Sequence, residues 1–404
     1  MMRTKLVDLR REAEQELLEI LDWWRTHLRS DQGGFHGEVN LRNEANEKAD
    51  RSLVLYTRIL WTFSAAITHR PNAEYRAIAD EAYAYLLKHF QDPDYGGFYW
   101  SVDASGSVVH DHKQLYGQAF TIYAFSEYHV ATGNQQALAL AIDLFDLIEA
   151  KGADSVQEGY WEVCDRAWRV LKGNRLSEKD LPADKSMNTH LHLLEAYTRL
   201  ASCTENDRVG GALDRLLRLY MEKIIDPATY SQFLYFAADW SPLTRTRSFG
   251  HDVEASWLLY EAAVQLNNPL RSERIGTLSV EMLEATASAL DIDGGILYEY
   301  DPETDHLNRE KHWWPQAEGL VGYLNAFQLT GDEKYVNGAW KIWSYVRKAI
   351  KHPKGEWVWG RDENGAIMES IKAGFWKCPY HNGRACLELI HRIDHLLTES
   401  TPLP

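Results

Sequence analysis

Along most of the chain apolar residues recur at i, i+3, i+4 and i+7, the mark of helices that bury one face. The spacing predicts twelve helices, over 5–29, 51–69, 74–90, 114–132, 136–150, 187–202, 208–224, 251–266, 271–289, 313–329, 333–350 and 381–398. Between them a glycine–aromatic turn returns: Gly33-Gly34-Phe35, Gly96-Gly97-Phe98-Tyr99-Trp100, Gly159-Tyr160-Trp161, Gly294-Gly295-Ile296-Leu297-Tyr298 and Gly355-Glu356-Trp357-Val358-Trp359. The interval is roughly sixty residues apart from one double step, where Asp226-Pro227 and SQFLYF supply a degenerate copy. Six helical pairs result, each with a β-prone aromatic run suited to a small hairpin.

No βαβ alternation and no GxGxxG loop interrupts this pattern, which disfavours Rossmann and TIM folds. Repeats this long are unusual for a solenoid, and no polar capping units mark the ends. The second helix of each pair is rich in aromatics and in charges of the buried kind, as an inner ring requires. The expected fold is therefore all-α: an (α/α)6 barrel of six helical hairpins with short β-hairpins and loops at one end. A length of 404 residues would by itself allow two or three domains, but the repeat makes 1–404 a single domain.

The inner helices would start near 51, 114, 187, 251, 313 and 381. Within its first two turns each carries a polar or aromatic residue that a packing helix does not need: Arg58, Tyr116, Asn188 with His192, His251 with Glu254, Trp314 with Glu318, and His381. In a ring of parallel helices these converge on one mouth and make a pocket. Asn188 and His192 share a face at i, i+4, whereas His190 points elsewhere. His251, Glu254 and Trp257 are read as one stripe. Trp23, Trp24, Trp61, Trp340 and Trp343 read instead as packing residues.

Composition narrows the ligand. Acidic residues outnumber basic ones 59 to 43, and a net charge of −16 lacks the basic stripe that nucleic acid or an anionic membrane would want. No apolar run approaches the ~18 residues of a membrane span. The charged N-terminus carries no signal peptide, and four cysteines without CxxC spacing fit a reduced cytoplasm. Aromatics make up 12% of the chain, 15 of them tryptophan, which suits a sugar whose C–H faces stack on indoles.

Metal and nucleophile chemistries are poorly supported. His190 and His192 splay at i, i+2, and only one His-x-x-Glu is present, short of a zinc or di-iron set. No GxSxG elbow is found, and Cys378 lacks an independent base. Two chemistries remain open for a sugar pocket. A carboxyl pair such as Glu254 and Glu318 could hydrolyse a glycosidic bond. His251 and His381 could move a proton next to a carbonyl, and Pro379 sets the second at a helix start whose dipole favours neutral imidazole.

The segments RILWTFSAA, LYGQAF, KSMNTHLHLLEAYTRL, GHDVEASWLL, HWWPQAE and GFWKCPYHNGRACLE resemble the N-acylglucosamine 2-epimerase superfamily, the last two most nearly its cellobiose 2-epimerase branch. The similarity runs from about residue 20 to 398 and implies the same (α/α)6 barrel. It implies cofactor-free inversion at C2 of the reducing-end sugar of a β-1,4-linked disaccharide, cellobiose or lactose, through ring opening and a cis-enediol. His251 and His381 match the acid/base pair, and Glu254 would orient His251. His192 would assist ring opening, and Arg58 would stabilise the enediolate. Tyr116 and Asn188 would bond hydroxyls, Trp314 and Trp376 would stack the sugar, Trp257 and Glu318 would shape the pocket, and Asp180 matches an acidic position beside it. The implied protein is cytoplasmic, without metal or cofactor, a monomer with a dimer left open, and its partner is a small sugar. Alternatives are a D-mannose 2-epimerase, an aldose–ketose isomerase or an N-acylglucosamine 2-epimerase acting on a free monosaccharide, and, in another class, a glycoside hydrolase on the same barrel.

Overall fold

The computed structural model describes residues 2–30 and 33–398. Twelve α-helices stand among them: α1 (Met2–His27), α2 (Leu53–His69), α3 (Ala73–Tyr85), α4 (Leu115–Thr132), α5 (Gln135–Lys151), α6 (Met187–Ala201), α7 (Asp207–Leu219), α8 (Phe249–Gln265), α9 (Pro269–Ala285), α10 (Trp313–Thr330), α11 (Glu333–Tyr345) and α12 (Tyr380–Thr398). The even-numbered helices pack neighbour to neighbour, and α12 returns to α2, closing the ring. The odd-numbered helices pack outside them, α1 against α12 and α11. The expected (α/α)6 barrel is what forms.

Burial explains which helices are inner. Leu53 to Ile67 of α2 and Trp313 to Phe327 of α10 are buried without a break, because each faces ring neighbours, an outer helix and the barrel interior. In α7 only Val209, Ala212, Leu213, Leu216, Leu217 and Leu219 are buried, most of them along the stripe that an outer helix needs, and the other face is more exposed. The packing tryptophans behave as read: Trp23, Trp24, Trp61 and Trp343 are buried, and Trp340 packs against the same core.

One end of the barrel is built by the turns. A two-residue strand feeds each of five inner helices and pairs with the strand that follows the next glycine turn: Arg51–Ser52 with Ser101–Val102, Lys113–Gln114 with Val163–Cys164, Lys185–Ser186 with Tyr235–Phe236, Arg247–Ser248 with Glu299–Asp301, and Lys311–His312 with Gly360–Arg361. Each pairing ends by capping the helix. The first N–H groups of Leu53, Leu115, Met187, Phe249 and Trp313 donate to the carbonyls of Trp100, Glu162, Leu234, Tyr298 and Trp359 at 2.9–3.2 Å.

Two side-chain devices recur around the ring. A polar residue on the inner helix holds the backbone just after the turn: Tyr56 on Phe35, Gln118 on Phe98, His190 on Tyr160, Asp252 on Gln232 and Gln316 on Ile296. A lysine at the start of the unit meets an acid from the turn: Lys113 with Asp92 at 2.8 Å, Lys185 with Asp154 at 2.8 Å, and Lys377 with Glu356 at 3.0 Å. The degenerate fourth turn keeps the geometry, with Tyr230 adopting φ 57°.

His190 shows why one histidine of THLH is structural. Its Nδ1 lies 2.7 Å from the Ser186 carbonyl, so Nδ1 carries the proton and Nε2 accepts from the Tyr160 N–H at 2.9 Å. Burial pushes its pKa down to about 4. The unfolded imidazole, near 6.5, takes up a proton that the folded one refuses, so this contribution is full above pH 6.5 and is lost as pH falls toward 4. His190→Gln should therefore flatten the dependence of unfolding free energy on pH between 4 and 6.5 by about 1.4 kcal/mol per pH unit. Urea titrations across that range would read the slope directly.

Candidate active site

The N-terminal ends of the inner helices surround a cavity of about 830 Å³ at the turn-bearing mouth. Arg58, Tyr116, Asp180, Asn188, His192, His251, Glu254, Trp314, Trp376 and His381 all line it. Trp257 and Glu318 do not. Both stand behind the wall, with the Trp257 indole N–H donating to Glu318 Oε2 at 3.1 Å.

Two of the three histidines are held by carboxylates. His381 Nδ1 lies 2.6 Å from Glu318 Oε1, and His192 Nδ1 lies 2.8 Å from Glu195 Oε2. An ionised carboxyl only accepts, so it places the proton on Nδ1 and leaves the Nε2 lone pair free. His251 is held differently, by the Ser248 hydroxyl at 2.8 Å from Nδ1. The expected partner, Glu254, bonds Arg384 instead, because a buried carboxyl gains more from a guanidinium than from a neutral imidazole. The Trp314 ring contacts both His251 and His381, with centroids at 4.6 and 5.9 Å.

Burial keeps two of these imidazoles neutral. The His251 pKa falls to about 3 through burial and then His192. That of His381 lies well below its ordinary value, through burial and then the cations Arg58 and Arg384. At pH 7 both are bases rather than cations.

Arg384 lies at the centre of the floor. Its Nη2 donates to Glu254 at 2.8 Å and to Glu318 at 2.7 Å, and its Nη1 bonds Glu195 and the Tyr380 hydroxyl. One guanidinium thus joins α6, α8, α10 and α12 beneath the histidines. Three acids around it leave excess negative charge, and burial followed by the nearby Glu318 raises the Glu254 pKa to about 7. At Glu195 burial opposes ionisation, but Arg384 and His192 outweigh it and its pKa is lowered.

Arg58 supplies the positive charge within the wall. Its Nη2 donates to the Tyr116 hydroxyl at 2.7 Å, and its guanidinium lies over the Phe120 ring at 4.2 Å and the Tyr380 ring at 4.7 Å. Its Nη1 reaches Cys378 Sγ at 3.5 Å, so that buried cysteine packs against the arginine. Asp180 reaches the cavity from the loop before α6, and its carboxylate accepts from Tyr235 at 2.6 Å and from Ser177.

Glu254, Glu318 and His381 bring three ligand-type atoms within 4.8 Å of one another. The composition is that of a metal site, but Arg384 already donates to both carboxyls. The guanidinium occupies the position and supplies the charge a cation would bring.

Sequence reasoning missed Glu195 and Arg384. Each lies three residues after a histidine that was found, His192 and His381, and that spacing was the available signal. It also missed Trp100, Tyr298 and Trp359, which line the cavity directly after the glycine turns. Their cue was the third residue of each hydrophobic run after the turn.

A closed helical barrel whose mouth presents neutral imidazoles, a buried guanidinium and indole faces defines an enzyme of the carbohydrate epimerase and isomerase class. The family profile for N-acylglucosamine 2-epimerase (GlcNAc 2-epimerase) matches residues 33–385, and the chain belongs to that family. It is 40% identical over 386 residues to a cellobiose 2-epimerase of Bacteroides fragilis, covering 95% of this chain and 98% of that one. A second cellobiose 2-epimerase, from Dictyoglomus turgidum, is 34% identical and covers 93% and 96%. The solved structure of cellobiose 2-epimerase from Spirochaeta thermophila superposes with a TM-score of 0.92 at 37% identity, over 98% of this chain and 99% of that one.

Replacing Arg384 by methionine leaves Glu195, Glu254 and Glu318 buried without their cation. Stability should drop by about 3–5 kcal/mol, read as a lower midpoint in chemical denaturation. Glu318→Gln, which keeps the volume, should cost less stability and still depress turnover by loosening the His381 tautomer.

Proposed function

We propose that residues 1–404 form one catalytic domain, a cytoplasmic monomer that inverts C2 of the reducing-end sugar of a β-1,4-linked disaccharide, without a cofactor and without nucleic-acid partners. Cellobiose and lactose are the substrates of choice. The observation that carries this reading is that His251 and His381, both neutral and both touching the Trp314 ring, face one cavity. Inversion needs a base and an acid that exchange roles across one carbon, and two matched imidazoles provide that. The names of the two relatives and of the Spirochaeta structure support the disaccharide, as does a cavity larger than one pyranose requires.

The steps follow from the residues. His192, fixed by Glu195, relays the proton from the anomeric hydroxyl to the ring oxygen, which opens the pyranose to the aldehyde. One of His251 and His381 removes the C2 proton, and the electron pair moves onto the carbonyl oxygen to form the cis-enediolate. Arg58 and Tyr116, both buried in the wall, stabilise that oxyanion. The other imidazole, itself a neutral base, takes up a proton from solvent at its free ring nitrogen and delivers it to the opposite face of C2. The first imidazolium releases the proton it took to solvent, so that both return to the neutral form. Trp314 and Trp376 hold the sugar by stacking, and Asn188 bonds a hydroxyl. Glu254, poised near neutrality, gives or accepts a hydrogen bond at the reacting hydroxyls.

In D2O, cellobiose and lactose should gain deuterium at C2 and a new anomeric proton signal by NMR. Exchange confined to free mannose or N-acetylglucosamine would move the assignment to a monosaccharide branch, and released glucose without exchange would make the protein a hydrolase. Arg58→Ala should lower kcat by about 10²–10³, the usual cost of one oxyanion donor. His381→Ala should abolish turnover with the helical circular dichroism intact, and wild-type-like epimerisation by that variant would sink the assignment.

A further inference from the structure

A smaller cavity of about 60 Å³ opens beside His251, and the Asp180, Asn188, His251 and Tyr298 side chains line both it and the main site. Its far wall carries Glu162, which is 2% exposed and absent from the mechanism above. Glu162 Oε1 accepts from Thr189 at 2.8 Å and from Gln114 at 3.2 Å, both neutral groups. Its Oε2 is buried with no hydrogen-bond partner. Ser186 lines the same cavity, but its hydroxyl oxygen accepts from the Thr189 N–H as the cap of α6. Asn188 Oδ1 is likewise buried without a partner.

Backbone register says that this side chain belongs to the substrate wall. Glu162 occupies the position held in other units by Trp100, Leu234, Tyr298 and Trp359, whose carbonyls cap the next inner helix. All four of those side chains line the main cavity or this one. Four are aromatic or aliphatic, and Glu162 alone among the five carries a carboxyl. A buried carboxyl with a free oxygen, no bonded cation and an unpaired amide oxygen beside it is costly unless something donates to it.

We propose that this side cavity is a subsite for a sugar hydroxyl, a hydroxymethyl group by size, with Glu162 Oε2 and Asn188 Oδ1 as its acceptors. The volume exceeds the 10–15 Å³ or so that a single water needs and admits no second ring. A donor suits it because Glu162 Oε2 and Asn188 Oδ1, the buried unpaired atoms among its lining residues, are acceptors, and the Ser186 hydroxyl can donate at most once. Acids around the cavity also raise the thought of a cation, but Glu162, Asp180 and Glu299 do not bring ligand atoms together as Glu254, Glu318 and His381 do. Burial pushes the Glu162 pKa up to about 7, against the Ser186 and Thr189 hydroxyls, which lower it.

The inference rests on the proposed function for its substrate and is tested by binding as well as by turnover. Calorimetric titration of wild type, Glu162→Gln and Glu162→Leu with cellobiose and its mono-deoxy analogues reads affinity, and C2 exchange reads kcat and KM. Glu162→Gln should melt like wild type, bind cellobiose about 10–100-fold more weakly, and raise KM with kcat kept within about threefold. One deoxy analogue should cost wild type the same factor and cost the variant nothing further. Unchanged affinity in both variants, additive losses for every analogue, or no binding of any of these sugars to wild type would overturn the subsite. Stimulation of wild type by calcium chloride that chelation reverses and Glu162→Gln abolishes would overturn it in favour of a cation. Wild type that binds cellobiose without C2 exchange would defeat the proposed function while the affinities still decide the subsite.

Discussion

A single buried cation organises the interior of this barrel. From α12, Arg384 reaches the Tyr380 hydroxyl on its own helix and three carboxyls on three other helices: α6 through Glu195, α8 through Glu254 and α10 through Glu318. Taking any one of these charges out of water costs several kcal/mol, and the group is tolerable only because each member offsets the desolvation of the others. The same carboxyls then turn outward, Glu195 to His192 and Glu318 to His381. The orientation of two imidazoles at the mouth is thus set by an ion cluster one helical turn below it. Pre-organisation of this kind is inherited from the fold rather than assembled by the substrate.

The electrostatic consequence is a division of labour by depth. In the floor, charge is dense, with three carboxyls gathered on one guanidinium. Along the cavity wall three groups are held toward their neutral forms: His251 by burial and His192, His381 by burial and the cations Arg58 and Arg384, and Glu254 by burial and Glu318. Arg58 is the exception, and its partners there are a phenol, a thiol and two ring faces rather than a carboxylate. A guanidinium without an anionic partner keeps its charge available, which is what the oxyanion role proposed for Arg58 requires.

The fold was legible because its signals repeat. Helical periodicity and five glycine turns suffice for twelve helices and a ring, and the polar residue in the first two turns of each inner helix marks the mouth. The errors come from depth and angle, which one-dimensional spacing handles badly. Trp257 was placed on the His251 stripe, yet six residues at 100° each turn it about 120° away from that face, and it packs behind Glu318 instead. Glu318 shares a face with Trp314 but lies a turn deeper, about 6 Å, where it meets His381 from beneath. The assignment of Glu254 to His251 failed because Arg384, distant in sequence, competes for the same carboxyl. Asp180 lies in a loop, and Trp100, Tyr298 and Trp359 each directly precede a short strand, so their placement depends on pairing between units rather than on any local period.

The capping of each inner helix by the following unit carries a consequence for how such a pocket changes over time. The carbonyls of Trp100, Glu162, Leu234, Tyr298 and Trp359 do the structural task, and a carbonyl is the same whatever side chain is attached. Those five positions are therefore held in place by their backbones while their side chains remain free to vary against the ligand. A barrel built this way separates what fixes its shape from what lines its mouth, so the side chains at these five positions can change without renegotiating how the chain folds.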